Sequence, residues 1–286
     1  MKNKLFYMLI ILFICCAEND DDNFTNSFQF FGQNHTLDIV SWNIEYFPKN
    51  ELTVNEIYPI IDSLNIDIIA LQEIVSMQDF NLLINHLGGN WIGYKSENSS
   101  YGTLAYLIDT TFIKINNSPL TILNQYEYDF AYRPPYLLDF KFYDYPYTLI
   151  NVHFKCCDDG ESRRLNASNY LEDYIKNNLP NKNVIVMGDF NDELVDENNI
   201  FNVFLNQPLD YLFTDIEIAQ NNNSSYWSFP TYPSHLDHIL ITNEVFTQED
   251  TTITLLLDQW FFNNSSDYFF YVSDHRPIAI SLNINP

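Results

Sequence analysis

From Leu37 onward, short runs rich in Ile, Val and Leu alternate with stretches of helical spacing, and the runs stop on a recurring set of polar side chains. Apolar runs of this length read as buried strands, and a chain that alternates them with amphipathic helices builds mixed α and β layers. Leu37 to Trp42 stops at Asn43 and Glu45, Ile66 to Leu71 at Glu73, the strand from Tyr147 at His153, and Val184 to Met187 at Asp189 and Asn191. Leu236 to Ile241 and Pro277 to Leu282 are flanked by Asp237 and by Asp274-His275. The spacing of Val54, Ile57, Ile60, Ile61 and Leu64 predicts a helix over 53–64; Phe80 to Leu87 predicts a second, closed by Gly88-Gly89, and 163–178 a third. Residues 91–154 are strand-rich, with turn signals at Asn116-Asn117 and Asp144-Tyr145-Pro146. The expected class is α/β (α+β), with two packed mixed sheets and helices outside them.

Charge narrows the function. With 13 Lys+Arg against 38 Asp+Glu, the chain has a formal charge of -25, which excludes a broadly basic nucleic-acid module. At 46% hydrophobic and 16% aromatic residues it is not a disordered acidic chain. Only 7 glycines are present, and neither a GxGxxG nor a GxxxxGK[ST] motif occurs, which removes the dinucleotide-fold and P-loop readings.

Lys2 and Lys4 precede an apolar run from Leu5 to Ile14, too short to span a bilayer and suited to a secretory signal over residues 1–16. Phe13-Ile14-Cys15-Cys16 resembles a bacterial lipobox, which makes Cys16 the expected lipidated residue. Residues 17–36 open with Glu18-Asn19-Asp20-Asp21-Asp22 and read as an acidic flexible tether, similar to runs that send some lipoproteins to the outer cell surface. The expectation is an exported protein, held by its lipid at an outer membrane or cell surface, with a single catalytic domain over 37–286. Loss of residues 1–16 removes two lysines and no acids, so the formal charge moves from -25 to -27.

A lone carboxylate after a strand serves equally well as a helix cap or turn residue. Six segments in fixed order carry more weight: Ser41-Trp42-Asn43-Ile44-Glu45, Ala70-Leu71-Gln72-Glu73, Asn151-Val152-His153, Met187-Gly188-Asp189-Phe190-Asn191, Ser234-His235-Leu236-Asp237-His238-Ile239 and Ser273-Asp274-His275-Arg276-Pro277. Together they resemble the endonuclease/exonuclease/phosphatase superfamily, which includes deoxyribonucleases, abasic-site endonucleases, bacterial sphingomyelinases and inositol-polyphosphate phosphatases. The resemblance implies a four-layer sandwich and a metal-dependent hydrolase of phosphoric esters.

It also implies roles. Glu73 is the principal metal ligand, with Asn43, Glu45 and Asp274 beside it. All-oxygen ligands favour Mg²⁺, or Mn²⁺ or Ca²⁺, over zinc. His275 is the general base, oriented by Asp237; Asp189 orients the attacking water or assists a metal. Asn191 donates to a phosphoryl oxygen, and His153 stabilises the transition state. Tyr132-Arg133-Pro134-Pro135 resembles the arginine segment that contacts phosphate in the deoxyribonuclease branch, and a guanidinium suits such a contact. Arg163, Arg164 and Arg276 are expected to pair with local acids.

Substrate choice stays open at this point. The two histidines and Arg133 favour nucleic-acid phosphodiesters and an Mg-dependent nuclease. The aromatic stretch 259–271 resembles the membrane-inserting hairpin of bacterial sphingomyelinases, and equally fits two core strands around an Asn-Asn-Ser-Ser turn. A phosphatase acting on small molecules and an inactive surface binding protein complete the alternatives. Cys156-Cys157 could form a vicinal disulfide, remain as buried thiols or cross-link chains. No feature points to a protein partner.

Overall fold

Period-two alternation sorts the strands onto two sheets. In β1 (Thr36–Phe47), Leu37 and Ile39 face one way into an intersheet core, while Val40, Trp42 and Ile44 face the other way, under helices. The computed structural model describes residues 31–33, 35–97, 102–197 and 199–284. The leader, Cys16 and residues 17–30 of the tether lie outside the described residues.

The first sheet runs β12 (Glu249–Thr254), β13 (Ile278–Asn283), β1, β2 (Ile68–Ile74), β4 (Thr103–Asp109), β3 (Trp91–Lys95). The second runs β10 (Tyr211–Phe213), β11 (Asp237–Thr242), β9 (Val184–Asp189), β8 (Tyr145–His153), β7 (Tyr136–Phe142), β5 (Ile113–Ile115), with β6 (Leu120–Thr121) also on β7. Among the described residues, only β1 with β2 and β8 with β9 pair in parallel. The outer face of the first sheet is covered by α1 (Thr53–Leu64), α2 (Met77–Leu87), α6 (Leu257–Trp260) and α7 (Ser265–Tyr271). The second is covered by α3 (Glu161–Asn178), α4 (Asn202–Leu205) and α5 (Ile216–Gln220). These are the four layers that the sequence implies. Each fully buried Leu, Ile or Phe contributes about 1.5–3 kcal/mol.

Two amides link the sheets across the intersheet core, although Gln72 Oε1 itself has no partner among the described residues. Gln72 Nε2 donates to Asn151 Oδ1 at 2.8 Å, and Asn151 Nδ2 donates to the Leu71 and Ala105 carbonyls. A buried amide left unpaired costs about 1–3 kcal/mol, so this ladder locks the relative position of β2 and β8 just before their functional ends.

The aromatic stretch 259–271 is neither a membrane hairpin nor a pair of core strands. It contains the second half of α6 and all of α7, because the Asn264 side chain accepts from Ser266 N and starts a helix where a turn was expected. Tyr268 is fully buried and its hydroxyl accepts from Trp42 Nε1 at 3.2 Å; Phe270 is left exposed. The end of the expected tether is docked: Phe31 packs on the outer core, Gly32 N donates to Leu64 O, and Gln33 N donates to Asp38 Oδ2. Among the described residues no helix is long and apolar enough to cross a membrane.

Candidate active site

The parallel pairs bring the ends of β1, β2, β8 and β9 to one edge of the sandwich, where β1 and β9 meet. The ends of parallel strands are where an α/β scaffold collects polar groups, since the connecting loops are free of packing duties. A cavity of about 890 Å³ opens there, lined by Asn43, Glu45, Glu73, Arg133, His153, Asp189, Asn191, Asp274 and His275. Of the catalytic, metal-ligating and phosphate-contacting residues expected from the sequence, only Asp237 is absent from the cavity wall; it lies behind His275.

The backbone is bent to aim these groups. The β1–β2 register shifts between Asn43 and Phe47, and β2–β4 shifts between Leu71 and Ile74, so bulges turn Glu45 and Glu73 toward the cavity. Seven of the eleven described non-glycine residues with positive φ line the cavity, Glu45 (33°), Glu73 (65°) and Asn191 (54°) among them. Such conformations cost about 1–3 kcal/mol each and persist where the surroundings impose them. Gly102 makes Glu73's possible: its φ is +87°, and a Cβ there would lie 2.8 Å from Glu73 Cα.

Asp189 is the hub. Its Oδ2 accepts from Asn43 Nδ2 at 2.9 Å, lies 3.3 Å from His153 Nε2 and 3.9 Å from His275 Nε2; its Oδ1 accepts from Asn191 N. Burial raises its pKa, His275 opposes this, and Asp237 and Glu73 add to the rise, leaving Asp189 at about 7. His275 Nδ1 donates to Asp237 Oδ2 at 2.7 Å, which leaves Nε2 facing Asp189 and Asp274. Burial alone would lower the His275 pKa; Asp237, Asp189 and Asp274 outweigh it and raise it to about 10. His153 is held neutral: burial, then Arg133 and His275, push it well below its ordinary range. Its Nδ1 is buried without a partner.

Glu73 Oε2 accepts from Tyr46 N, and Oε1 lies 3.3 Å from Asn43 Nδ2. Glu45 pairs with Lys49 and accepts from Asp274 N at 2.9 Å. Burial and Glu45 raise Asp274 to about 6 against the pull of His275. Five acids thus converge with few balancing cations, and Asp189 and Asp274 hold protons more tightly than ordinary carboxyls. That excess of hard oxygen donors fits a divalent cation among Asn43, Glu45, Glu73 and Asp274.

A second cluster does not fit a metal. Asp215, His235 and His238 have ligand atoms within 4.8 Å of one another, but each is used internally. Asp215 Oδ2 accepts from His235 Nε2 (3.0 Å) and His238 Nδ1 (2.6 Å), while His238 Nε2 donates to Asp192 O and His235 Nδ1 accepts from Ser228 N. Both His238 nitrogens donate, so it is an imidazolium, and Asp215 is correspondingly held well below the usual carboxylate range despite its burial. This pair braces the strand that carries Asp237.

Arg133 is buried in the cavity wall; Nη2 donates to Phe154 O and Nε has no partner. The other arginines are committed to structure. Arg276 forms a two-pronged pair with Asp258, as expected, and Arg164 pairs with Asp192, distant in sequence. Among the described residues Arg163 meets no acid: it donates to Tyr128 O and stacks on the Tyr128 ring at 4.1 Å. Cys156 and Cys157 are exposed free thiols at the cavity, not buried ones. Sequence reasoning missed the aromatic wall of Tyr46, Tyr132, Phe229 and Tyr232, since no spacing rule collects residues from the end of β1 and two separate loops. It also missed Asp215 and the tie of Ser273, whose hydroxyl donates to Asn43 O and accepts from His275 N.

No curated protein matches the chain by sequence. Among solved structures, TDP2 from D. rerio, crystallised with a single-strand DNA product, superposes with a TM-score of 0.68 at 14% identity, covering 87% of this chain and 99% of that one. The human Nocturnin catalytic domain, solved with a bound sulfate anion, gives a TM-score of 0.64 at 16% identity over 88% and 95% of the two chains. An endonuclease/exonuclease/phosphatase from Bacteroides vulgatus gives 0.64 at 14% identity over 87% and 99%. The profile of the Endonuclease/Exonuclease/phosphatase family matches residues 40–275, which span the six motifs from Ser41 to His275. The chain therefore belongs to the endonuclease/exonuclease/phosphatase family of phosphoric-ester hydrolases.

Proposed function

We propose that the protein is a metal-dependent phosphodiesterase that cleaves single-stranded nucleic acid by attack of a His275-activated water. The observation that carries this reading is the line Asp237–His275–Asp189 facing the oxygen donors of Asn43 and Glu73 across one cavity that also holds Arg133. His275 Nε2 takes the proton of the attacking water, and Asp237 stabilises the imidazolium that results. Asp189 orients that water. Neutral His153, Asn191 and Arg133 donate to the phosphoryl oxygens as negative charge builds on them. A divalent ion held by Glu73, Asn43, Glu45 and Asp274, Mg²⁺ being the first candidate, would supply Lewis-acid stabilisation and weaken the acids' hold on the His275 proton.

The aromatic wall supports nucleic acid as the substrate class. Tyr46, Tyr132 and Tyr232 are exposed, and Phe229 packs against the His275 ring at 4.8 Å. Bases stack on such side chains for about 1–3 kcal/mol each, which needs unpaired strands. A charge of -25 disfavours broad duplex binding, so the single strand fits both observations. The sphingomyelin reading relied on an aromatic hairpin, and that stretch contains helix α7 instead. We further propose export and lipid anchoring at Cys16, which mass spectrometry of the mature N-terminus tests: an unmodified Cys16 contradicts it.

The substrate proposal is tested by parallel assays on single-stranded DNA, RNA, plasmid DNA, sphingomyelin and inositol phosphates, with and without EDTA. Single-stranded DNA or RNA is expected to be cleaved fastest, and only without EDTA. Arg133→Lys is expected to raise KM about tenfold, since a point charge replaces a fork of donors.

A further inference from the structure

We propose that Cys156 and Cys157 are a redox modification site built into the wall of the phosphate cavity, reacting with small-molecule disulfides and weakening phosphate binding when oxidised. The inference concerns thiol chemistry and goes beyond the proposed hydrolysis, though it uses the same cavity.

The geometry gives the two thiols different parts. Cys157 Sγ donates to Cys156 Sγ at 2.8 Å, and Lys155 Nζ lies 3.7 Å from Cys156 Sγ, so Cys156 is the acceptor sulfur of the pair. The hydrogen bond to Cys156, then burial, raises the Cys157 pKa, as expected for a pair that shares one proton. Both side chains are exposed at the cavity mouth and open to a small reactant.

The reaction balances without further reagents. The Cys156 thiolate attacks a disulfide RS–SR, one RS⁻ leaves and takes up the thiol proton, and a mixed disulfide forms at Cys156. Cys157, once deprotonated, attacks Cys156 Sγ; the second RS⁻ leaves as RSH and a Cys156–Cys157 bond closes. Two protein thiols are oxidised and one disulfide is reduced to two thiols. Adjacent Cα atoms sit about 3.8 Å apart across a trans peptide, below the roughly 4.4–6.8 Å of relaxed disulfides, so the ring is strained and easily reopened by a thiol.

Closure acts on the cavity through the backbone. Residues 154–157 carry the carbonyls that hold its cations: Phe154 O accepts from Arg133, and Lys155 O and Cys157 O accept from Arg164 Nη1 at 2.9 and 2.8 Å. Cys157 already has a φ of 72°, in the left-handed region. Drawing the two sulfurs into a bond rotates the intervening peptide, whose Cys156 O accepts from Lys155 Nζ at 2.8 Å, and so disturbs the flanking segment that holds Arg164 and Arg133. His153 lies three residues upstream on the same strand end, so the effect reaches the centre of the site.

The test treats the purified chain with glutathione disulfide in Mg²⁺, then with dithiothreitol, using inorganic phosphate as the binding probe. The expected product is lighter by about 2 Da, the mass of two hydrogens, with the bond mapped between Cys156 and Cys157. The phosphate Kd is expected to rise at least threefold and to recover on reduction, while Cys156→Ser and Cys157→Ser keep the reduced-form Kd under oxidant. A persistent mixed disulfide, a disulfide between chains, an unchanged Kd, or failure of the reduced chain to bind phosphate each overturns the proposal. Phosphate binding and thiol mass are read without any nucleic acid, so a failed nuclease assay with both intact counts against the substrate reading alone.

Discussion

His275 and Asp237 face each other at 2.7 Å, Nδ1 to Oδ2, although 38 residues separate them. The carboxylate fixes the imidazole with its free nitrogen toward the cavity and favours its charged form. Asp237→Asn removes both effects. Turnover is expected to fall by about 10²–10⁴-fold, the usual contribution of a positioned general base. The residual activity is expected to have its rising pH limb at lower pH than the wild type, because a group that raised the His275 pKa is gone. A pH–rate profile of the variant checks both.

Stability carries the same electrostatics with a definite sign. His275 has a folded pKa of about 10, above its unfolded value near 6.5, so its contribution is present below about pH 6.5 and lost as pH rises toward 10. Asp67, raised by burial to about 8, and Asp189, raised to about 7, add in the same direction, since folded carboxyls that keep protons lose stability as pH rises through those values. The Tm of EDTA-treated protein is therefore expected to fall from pH 6.5 to pH 9, and Mg²⁺ is expected to raise Tm more at pH 9 than at pH 6.5. Thermal melts at both pH values decide this.

Asp215→Ala strips the buried His238 imidazolium of its counter-ion, together with the acceptor used by His235. Breaking a buried pair on one side costs about 3–5 kcal/mol. Denaturant unfolding at pH 7 is expected to show a loss of that size, whereas a loss below about 1 kcal/mol would be the figure for an exposed pair.

Gly102→Ala adds a Cβ 2.8 Å from Glu73 Cα at a φ of +87°. The strain of that conformation is about 1–3 kcal/mol, and relief requires Glu73 to move. The variant is expected to lose stability and to need more Mg²⁺ for half-maximal activity, read from a metal titration of the reaction.

Much of this site is legible in the sequence, because its chemistry needs specific side chains at strand ends. Asn43, Glu73, His153, Asp189 and His275 each lie beside an apolar run, and the sheet register brings them to one cavity. Asp215 follows the short strand β10 rather than a marked apolar run, and its partners are set by packing alone. β12 is invisible in the sequence because Glu249–Thr254 is an edge strand of mostly polar residues without alternation. The aromatic stretch misleads for the opposite reason: its apolar character is real, but an Asn264 cap makes it helical, with Tyr268 packed into the outer core and Phe270 left exposed.

The role of His275 as the base of a metal-dependent nuclease is tested most directly by hydrolysis of a single-stranded oligonucleotide by the wild type and by His275→Gln, each with Mg²⁺ and with EDTA, at pH 8. Cleavage by the wild type is expected in Mg²⁺ and none in EDTA, with at least about a 10²-fold loss in His275→Gln. EDTA-resistant cleavage, near wild-type turnover by His275→Gln, or hydrolysis of sphingomyelin with the oligonucleotide untouched would contradict that role.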